Sequence, residues 1–318
     1  MKTYLIPQNG NFYKANLHSH STCSDGKATP QELKDLYKSA GYSVLAYSDH
    51  NVLVDHSELN DDTFLTLTSV EVDALEKAGK SYFYSPCYHV NFFSPAPHMA
   101  DIPAFERDYS KINDLVHAFT DKGFLAMLNH PTWSQQTMKD YENLDTSAFF
   151  AMEIYNHCSS TEGYDEVNSH IYDELLRTGA KLFCTATDDN HNLFPITSPR
   201  FDALGGFVMI KAPELTYDAI FNALKNGHFY ASNGPKIHEI YVEDNQLVVK
   251  TSDAVKIYLS TAVRQAQIVC AEQIGGTVNE ARFDLSNIRP GYVRVTVTDQ
   301  NGNNAWSQPL YGEFGGMR

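Results

Sequence analysis

The run "KANLH" ends in a histidine, and "NLHSHSTCSDG" continues it with a second histidine two positions on, so that His18 and His20 are followed by Asp25. Alternate residues of an extended chain point to the same side, so both imidazoles can grip one ion. Metal-competent side chains then recur along the chain. Asp49 and His50 stand in "AYSDH", Glu71 in "TSVEV", His89 in "CYHV" and His130 in "LNHP"; Glu153 and His157 flank "MEIYNH", and Asp188, Asp189 and His191 lie in "ATDDNH". Imidazole nitrogens and carboxylate oxygens are ligands of Zn²⁺, Mn²⁺ and Fe²⁺, and a set without thiolates suits hydrolysis better than a structural site. One such histidine means little, but buried imidazoles and carboxylates need partners, and recurrence on successive strands points to a shared centre.

The segments that must carry these groups are short apolar runs alternating with helical patterns. "KANLH", "VLAYSD", "FLTLTSVEV", "YHVNFF", "FLAMLNH", "FAMEIYN", "LFCTATD" and "GGFVMIKA" read as strands. "TPQELKDLYKSAG" reads as a helix with Thr29 as N-cap, Pro30 in the first turn and Gly41 closing it. Strand and helix in alternation predict a parallel sheet, open or closed into a barrel, whose strand ends meet at one mouth. Beyond Asn233-Gly234-Pro235 only strand-like runs follow, so residues 1–235 are expected to form a barrel-type domain and residues 236–318 a small antiparallel β-sandwich with no clustered ligands.

Bulk composition narrows the partners. The chain has 318 residues, 42% of them hydrophobic, enough for a large core. A formal charge of −15, from 39 acidic against 24 basic residues without a basic run, argues against a nucleic acid polymer as partner. No apolar run reaches the roughly 18 to 20 residues of a membrane span, and "MKTYLIPQNGNFYK" has no apolar signal core, so a cytoplasmic protein with no membrane partner is expected. The five cysteines form no C-x-x-C pair, which speaks against a disulfide framework or a structural zinc site.

In their order, "HSHSTCSDG", "AYSDHN", Glu71, "LNHP" and "ATDDNH" resemble the motifs of the PHP (polymerase and histidinol phosphatase) superfamily, over about residues 14 to 230. "ALKNGHFYASNGP" and the closing "YVRVTVTDQNGNNAWSQPLY" are further similar to a two-domain branch of PHP-like metallohydrolases that includes carbamate-ester hydrolases. The resemblance implies a distorted (β/α)₇ barrel followed by a small all-β sandwich-like domain, holding two or three divalent ions, with Zn, Mn and Fe as candidates. It implies His18 and His20 on a first ion with Glu71 and an aspartate of "ATDDNH". Glu71 would bridge to a second ion held also by His89 and His130, while Asp25, His50 and His191 would hold a third. Thr187-Asp188 fits the strand-end pattern, so Asp188 is assigned as the ligand, with Asp189 as the alternative. Asp49 is assigned to orienting a ligand.

His157, brought to the same mouth, is a candidate for substrate contact or proton transfer, and Arg200 in "ITSPRFDALGG" a candidate for binding an anionic group. The remaining histidines, His56, His98, His117, His170, His228 and His238, carry no assignment. Three divalent ions would outweigh the charge of three carboxylates, which favours a small anionic substrate. The reading is a metal-dependent phosphoesterase: a hydroxide bridging the first two ions beside Glu71 attacks phosphorus, with His191 and the third ion acting on the leaving group. Alternatives are hydrolysis of a carboxylic or carbamate ester or an amide at the same centre, and a metal- or ligand-binding module without catalysis.

Overall fold

The computed structural model describes residues 2–75, 85–99, 102–289 and 291–312. Among the described residues ten strands precede residue 235: β1 (Thr3–Tyr4), β2 (Asn11–Asn16), β3 (Val44–Tyr47), β4 (Leu65–Leu75), β5 (Cys87–Phe93), β6 (Leu125–Leu128), β7 (Phe149–Asn156), β8 (Phe183–Thr187), β9 (Phe207–Ala212) and β10 (Phe229–Ser232). The helices among them are α1 (Pro30–Ser39), α2 (Ile112–Thr120), α3 (Met138–Glu142), α4 (His157–Glu162), α5 (Ser169–Arg177) and α6 (Tyr217–Lys225). After them come β11 (Ile237–Glu243), β12 (Gln246–Ala254), β13 (Lys256–Thr261), β14 (Gln267–Cys270), a short α7 (Ala271–Ile274), β15 (Val278–Asp284), β16 (Gly291–Thr298), β17 (Asn304–Trp306) and β18 (Leu310–Gly312).

β2 through β8 are hydrogen-bonded in chain order within one large mixed sheet. The pairs β2–β3, β3–β4, β6–β7 and β7–β8 are parallel, as the alternation predicts. β5 departs from it, running antiparallel to both β4 and β6. The two ends of this series meet at the mouth, where the Asp189 amide donates to the His18 carbonyl at 2.9 Å and the His20 amide to the Asn190 carbonyl at 3.0 Å. β9 and β10 continue the sheet antiparallel on the other side of β2.

Local sequence explains the elements that aim the site. Thr29 and Glu32 form a reciprocal capping box at the start of α1, and Gly41 follows its end with φ 79°. Leu33 and Tyr37, four residues apart, face inward together, and the Tyr37 hydroxyl reaches Asp188 at 2.8 Å. α6 lays Tyr217, Ile220, Phe221 and Leu224 on a core shared with Ala15, Val44, Leu67, Met127 and Ile210.

The C-terminal strands add a four-stranded antiparallel sheet, β1-β11-β12-β15, that faces β13 and β16 across a core of Ile240, Val249, Leu259, Phe283, Val293 and Val297. The N-terminal strand β1 therefore belongs to this second sheet, and β10 pairs with β17 across residue 235, so one sheet runs through both parts of the chain. The alternation in "YVRVTVT" has a physical reason: Val293, Val295 and Val297 enter the sandwich core, while Tyr292 and Arg294 turn toward α5 and grip Asp173. No helix among the described residues is long and apolar enough to cross a membrane.

Candidate metal centre

Glu71 stands at the centre of the mouth, fully buried in mid-β4, with five imidazoles directed at its carboxylate. Oε1 lies 3.3 Å from His18 Nε2, 3.0 Å from His89 Nδ1 and 3.3 Å from His130 Nε2. Oε2 lies 3.3 Å from His20 Nε2 and 3.0 Å from His50 Nδ1. Asp189 Oδ1 sits 3.0 Å from both His18 Nε2 and His20 Nε2. At the outer edge Asp25 faces His20, His50 and His191 at 3.7, 3.6 and 3.5 Å. The donors fall into three overlapping groups: His18, His20, Glu71 and Asp189; His50, Glu71 and His89; and His20, Asp25, His50 and His191. Eight of the nine residues assigned as ligands from sequence thus converge on one place.

The ninth does not. Asp188 is buried and turned away, accepting the backbone N–H groups of Leu204, Gly205 and Gly206 at 2.7, 2.8 and 2.6 Å besides the Tyr37 hydroxyl. It anchors the loop before β9, and the alternative, Asp189, takes the position among the donors. Asp189 reaches it through a left-handed backbone, φ 55°, and His130 is also at positive φ, strained conformations of the kind that collect at functional sites.

Two further expectations are corrected. His157 points away from the mouth: its Nδ1 lies 3.0 Å from the Tyr155 hydroxyl and its Nε2 3.2 Å from the Phe201 carbonyl. Its ring is packed so closely under Gly205 that any Cβ there would fall 2.2 Å from it. As the first residue of α4 it is rotated off the line of β7. Arg200 is exposed, and its guanidinium lies over Phe194 at 4.1 Å instead of facing the donors. Asp49, assigned to orienting a ligand, accepts from the Ser21 amide, the Ser21 hydroxyl and the Ser24 hydroxyl at 2.7 to 2.8 Å, contacts that lie on the loop rather than on a ligand ring. That holds the loop leading to Asp25.

Several supporting residues were not assigned from sequence. Glu153, fully buried in β7, places Oε1 2.7 Å from His18 Nδ1 and accepts the Thr187 hydroxyl, the His130 amide and the Asn156 side chain. It thereby presents His18 Nε2 to the centre. Asn129 donates to Glu71 Oε1 at 2.7 Å, and Asn156 to Asp189 Oδ2 at 3.2 Å. The sequence marks Glu153 as metal-competent, the one charged residue of the apolar run "FFAMEIYN", but gives it no role.

The charge balance is that of a cation site. Burial opposes a proton on His18, yet Asp189, Glu71 and Glu153 raise its pKa well above the ordinary value. His20 is likewise carried against burial to about 9 by Asp189 and Glu71. Burial takes His50 down to about 4, helped by its histidine neighbours and opposed by Glu71. Glu71 and Asp189 are held well below the carboxylate range despite burial, by the histidines around them. Glu71 Oε2 and His20 Nδ1 are buried with no hydrogen-bond partner, and the Nε2 atoms of His18 and His20 face each other at 3.2 Å. Carboxylates and imidazoles crowded at 3.0 to 3.3 Å, with His18 and His20 drawn toward protonation to balance the carboxylates, are an environment in which divalent cations can take the place of those protons, so the residues fit the group.

Above the donors opens a pocket of about 260 Å³ lined by Asp25, His50, Glu71, His89, His130, Asp189 and His191, with Trp133, Cys158, Ser159, Glu162 and Leu193 as its outer wall. His50 and His191 keep 24% and 19% of their side chains exposed, so they are the rings an incoming molecule meets first.

No family model and no curated protein matches this chain. Among solved structures, it is similar to a two-domain protein from Bacteroides vulgatus containing a predicted PHP-like metal-dependent phosphoesterase, at 16% identity over 96% of this chain and 98% of that one, with a TM-score of 0.50. A protein from Bifidobacterium adolescentis, named as a metal-dependent phosphoesterase, aligns with 58% of this chain and 89% of its own at 14% identity and a TM-score of 0.40. An amidohydrolase from Chromobacterium violaceum aligns with 56% and 87% at 16% identity and a TM-score of 0.36. The chain shares the fold of this two-domain Bacteroides vulgatus protein along nearly its whole length.

Proposed function

We propose that the chain is a metal-dependent hydrolase acting on a small anionic phosphate ester. The observation that carries this reading is the convergence of five imidazoles on the single carboxylate of Glu71, with Asp189 and Asp25 closing the ring of donors. His18, His20, His89, His130, Glu71 and Asp189 would hold an inner pair of ions, and Asp25, His50, His191 and the outer edge of His20 a further one. Bound divalent ions of the Zn, Mn or Fe type supply Lewis acidity, charge neutralisation for a phosphoryl group and an acidified water.

The chain's own part is to fix and shield this place. Glu153 and Asn129 hold His18 and Glu71 in one orientation, so the donors need little rearrangement to receive a cation. Three carboxylates among the donors leave the loaded centre cationic, which suits a phosphoryl group. His50 and His191 stand at the opening, both turned to Asp25, and would hold the outermost ion there. Trp133 and Leu193 narrow the access of water from the side.

Hydrolysis of a carboxylic or carbamate ester or an amide is the second reading, and one observation favours it: among the described residues no lysine or arginine lines the pocket, whose wall includes Trp133, Cys158 and Leu193. The near-complete donor set supports catalysis over a binding module. The test is a hydrolysis panel on the metal-reconstituted protein, covering phosphomonoesters, phosphodiesters, carboxylic esters, carbamates and amides. Phosphoester turnover that disappears with a chelator is expected. Turnover of carbamates or carboxylic esters alone would overturn the phosphoesterase reading, and no turnover of any class would overturn hydrolysis.

A further inference from the structure

The outer wall of the pocket is built from two places in the chain. Trp133 comes from the loop after β6, and Cys158, Ser159 and Glu162 come from α4. The two are tied together, because Trp133 Nε1 donates to Glu162 Oε2 at 3.0 Å. The indole is fixed from below as well, standing edge-on to His89 and His130 with ring centres 5.3 and 4.9 Å away. Its backbone N–H is bound by the buried Glu166, whose other oxygen accepts from Asn168. Leu193 faces the same space from the loop after β8 and is 54% exposed.

This wall is aromatic, apolar and acidic. Glu162 is its one formally charged residue among those described, and Arg200, a candidate from sequence for binding an anionic group, lies against Phe194 instead. We infer that Trp133, Glu162 and Leu193 form a leaving-group subsite for a flat apolar group that is uncharged or positively charged, and that Glu162 excludes a second anionic group. The inference rests on the hydrolase reading and names the substrate class within it: an ester with its negative charge at the scissile group and none on the departing part. A carboxylate a few ångströms from the substituent repels an anion and attracts a cation, and at this exposed position the effect weakens with salt.

The experiment uses the full-length, metal-reconstituted protein and three aryl esters with the same scissile group, differing only in a para substituent: methyl, carboxylate or aminomethyl. The aminomethyl and methyl esters should exceed the carboxylate in kcat/KM by about tenfold at low salt, a gap that narrows as salt rises. Glu162→Gln should remove the difference between cationic and anionic esters, and Glu162→Lys should reverse it. Trp133→Ala should raise KM about tenfold for all three esters without changing their order. An unchanged order in Glu162→Gln and Glu162→Lys would overturn the subsite. If none of the esters turns over, the hydrolase reading falls, and calorimetric binding of the three matching aryl phosphonates still decides: the same order, lost in Glu162→Gln, supports the subsite, and equal affinities refute it.

Discussion

Neighbouring aspartates with opposite duties give the sharpest residue-level tests. Asp189 faces the donors, so Asp189→Asn should cost about one metal equivalent and leave the unfolding midpoint little changed. Asp188 instead satisfies three backbone donors and a tyrosine, so Asp188→Asn should retain metal and lose about 1–3 kcal/mol of stability for a donor left unpaired. Elemental analysis and urea unfolding on both variants check this; metal loss in Asp188→Asn alone would reverse the assignment. Glu166 offers a pH test. Burial raises its carboxyl to about 7 from 4.5, opposed by His130, Asn168 and the Trp133 amide. A raised carboxyl binds its proton more tightly in the folded state, so its contribution is greatest below pH 4.5, falls between 4.5 and 7 and is level above. Glu166→Gln should lack this decline, which amounts to on the order of 3 kcal/mol. Parallel stability curves for parent and variant between pH 4 and 8 would contradict it.

At the scale of elements, the loop from Ser21 to Gly26 decides whether the outer donors assemble. Asp49 grips its start, the Lys27 amide bonds to the His191 carbonyl at 2.8 Å, and Gly26 passes so close that a Cβ would lie 2.3 Å from the His20 carbonyl oxygen. Gly26→Ala must push the loop outward with Asp25, so this variant should lose about one metal equivalent while the inner donors keep theirs. Unchanged metal content would mean that Asp25 is not held there for binding. The same loop shows how far the sequence could be read. His18, His20, Glu71, His89 and His130 were legible because each stands in or just beyond an apolar strand, where an ionisable side chain needs a reason. Asp188 and Asp189 were not separable, since adjacent strand-end residues face opposite sides and the φ of 55° at Asp189 follows from tertiary contacts alone. His157 misled because α4 begins at that residue and turns it under Gly205. The antiparallel setting of β5 was also illegible, because a buried strand reads as the same apolar run in either direction.

Across the whole molecule the C-terminal strands are joined to the site-bearing part by a shared sheet and by buried polar contacts. Arg294, 2% exposed at its side chain, meets Asp173 of α5 with two contacts of 2.7 Å. Gln308 bonds both backbone groups of Cys184 in β8, and Trp306 stacks near Tyr155. Arg294→Ala leaves Asp173, which is partly exposed and keeps the Tyr292 hydroxyl, without its cation and should destabilise the chain by about 1–3 kcal/mol. Unfolding should remain a single transition; two separated transitions would mean that the parts fold independently. The central claim is that Glu71 gathers the whole centre, and metal content tests it most directly. Reconstituted with Mn²⁺ or Zn²⁺ and freed of excess ion, the parent should carry at least two equivalents by elemental analysis, whereas folded Glu71→Gln should carry fewer than one. Equal metal content in parent and variant would contradict the account.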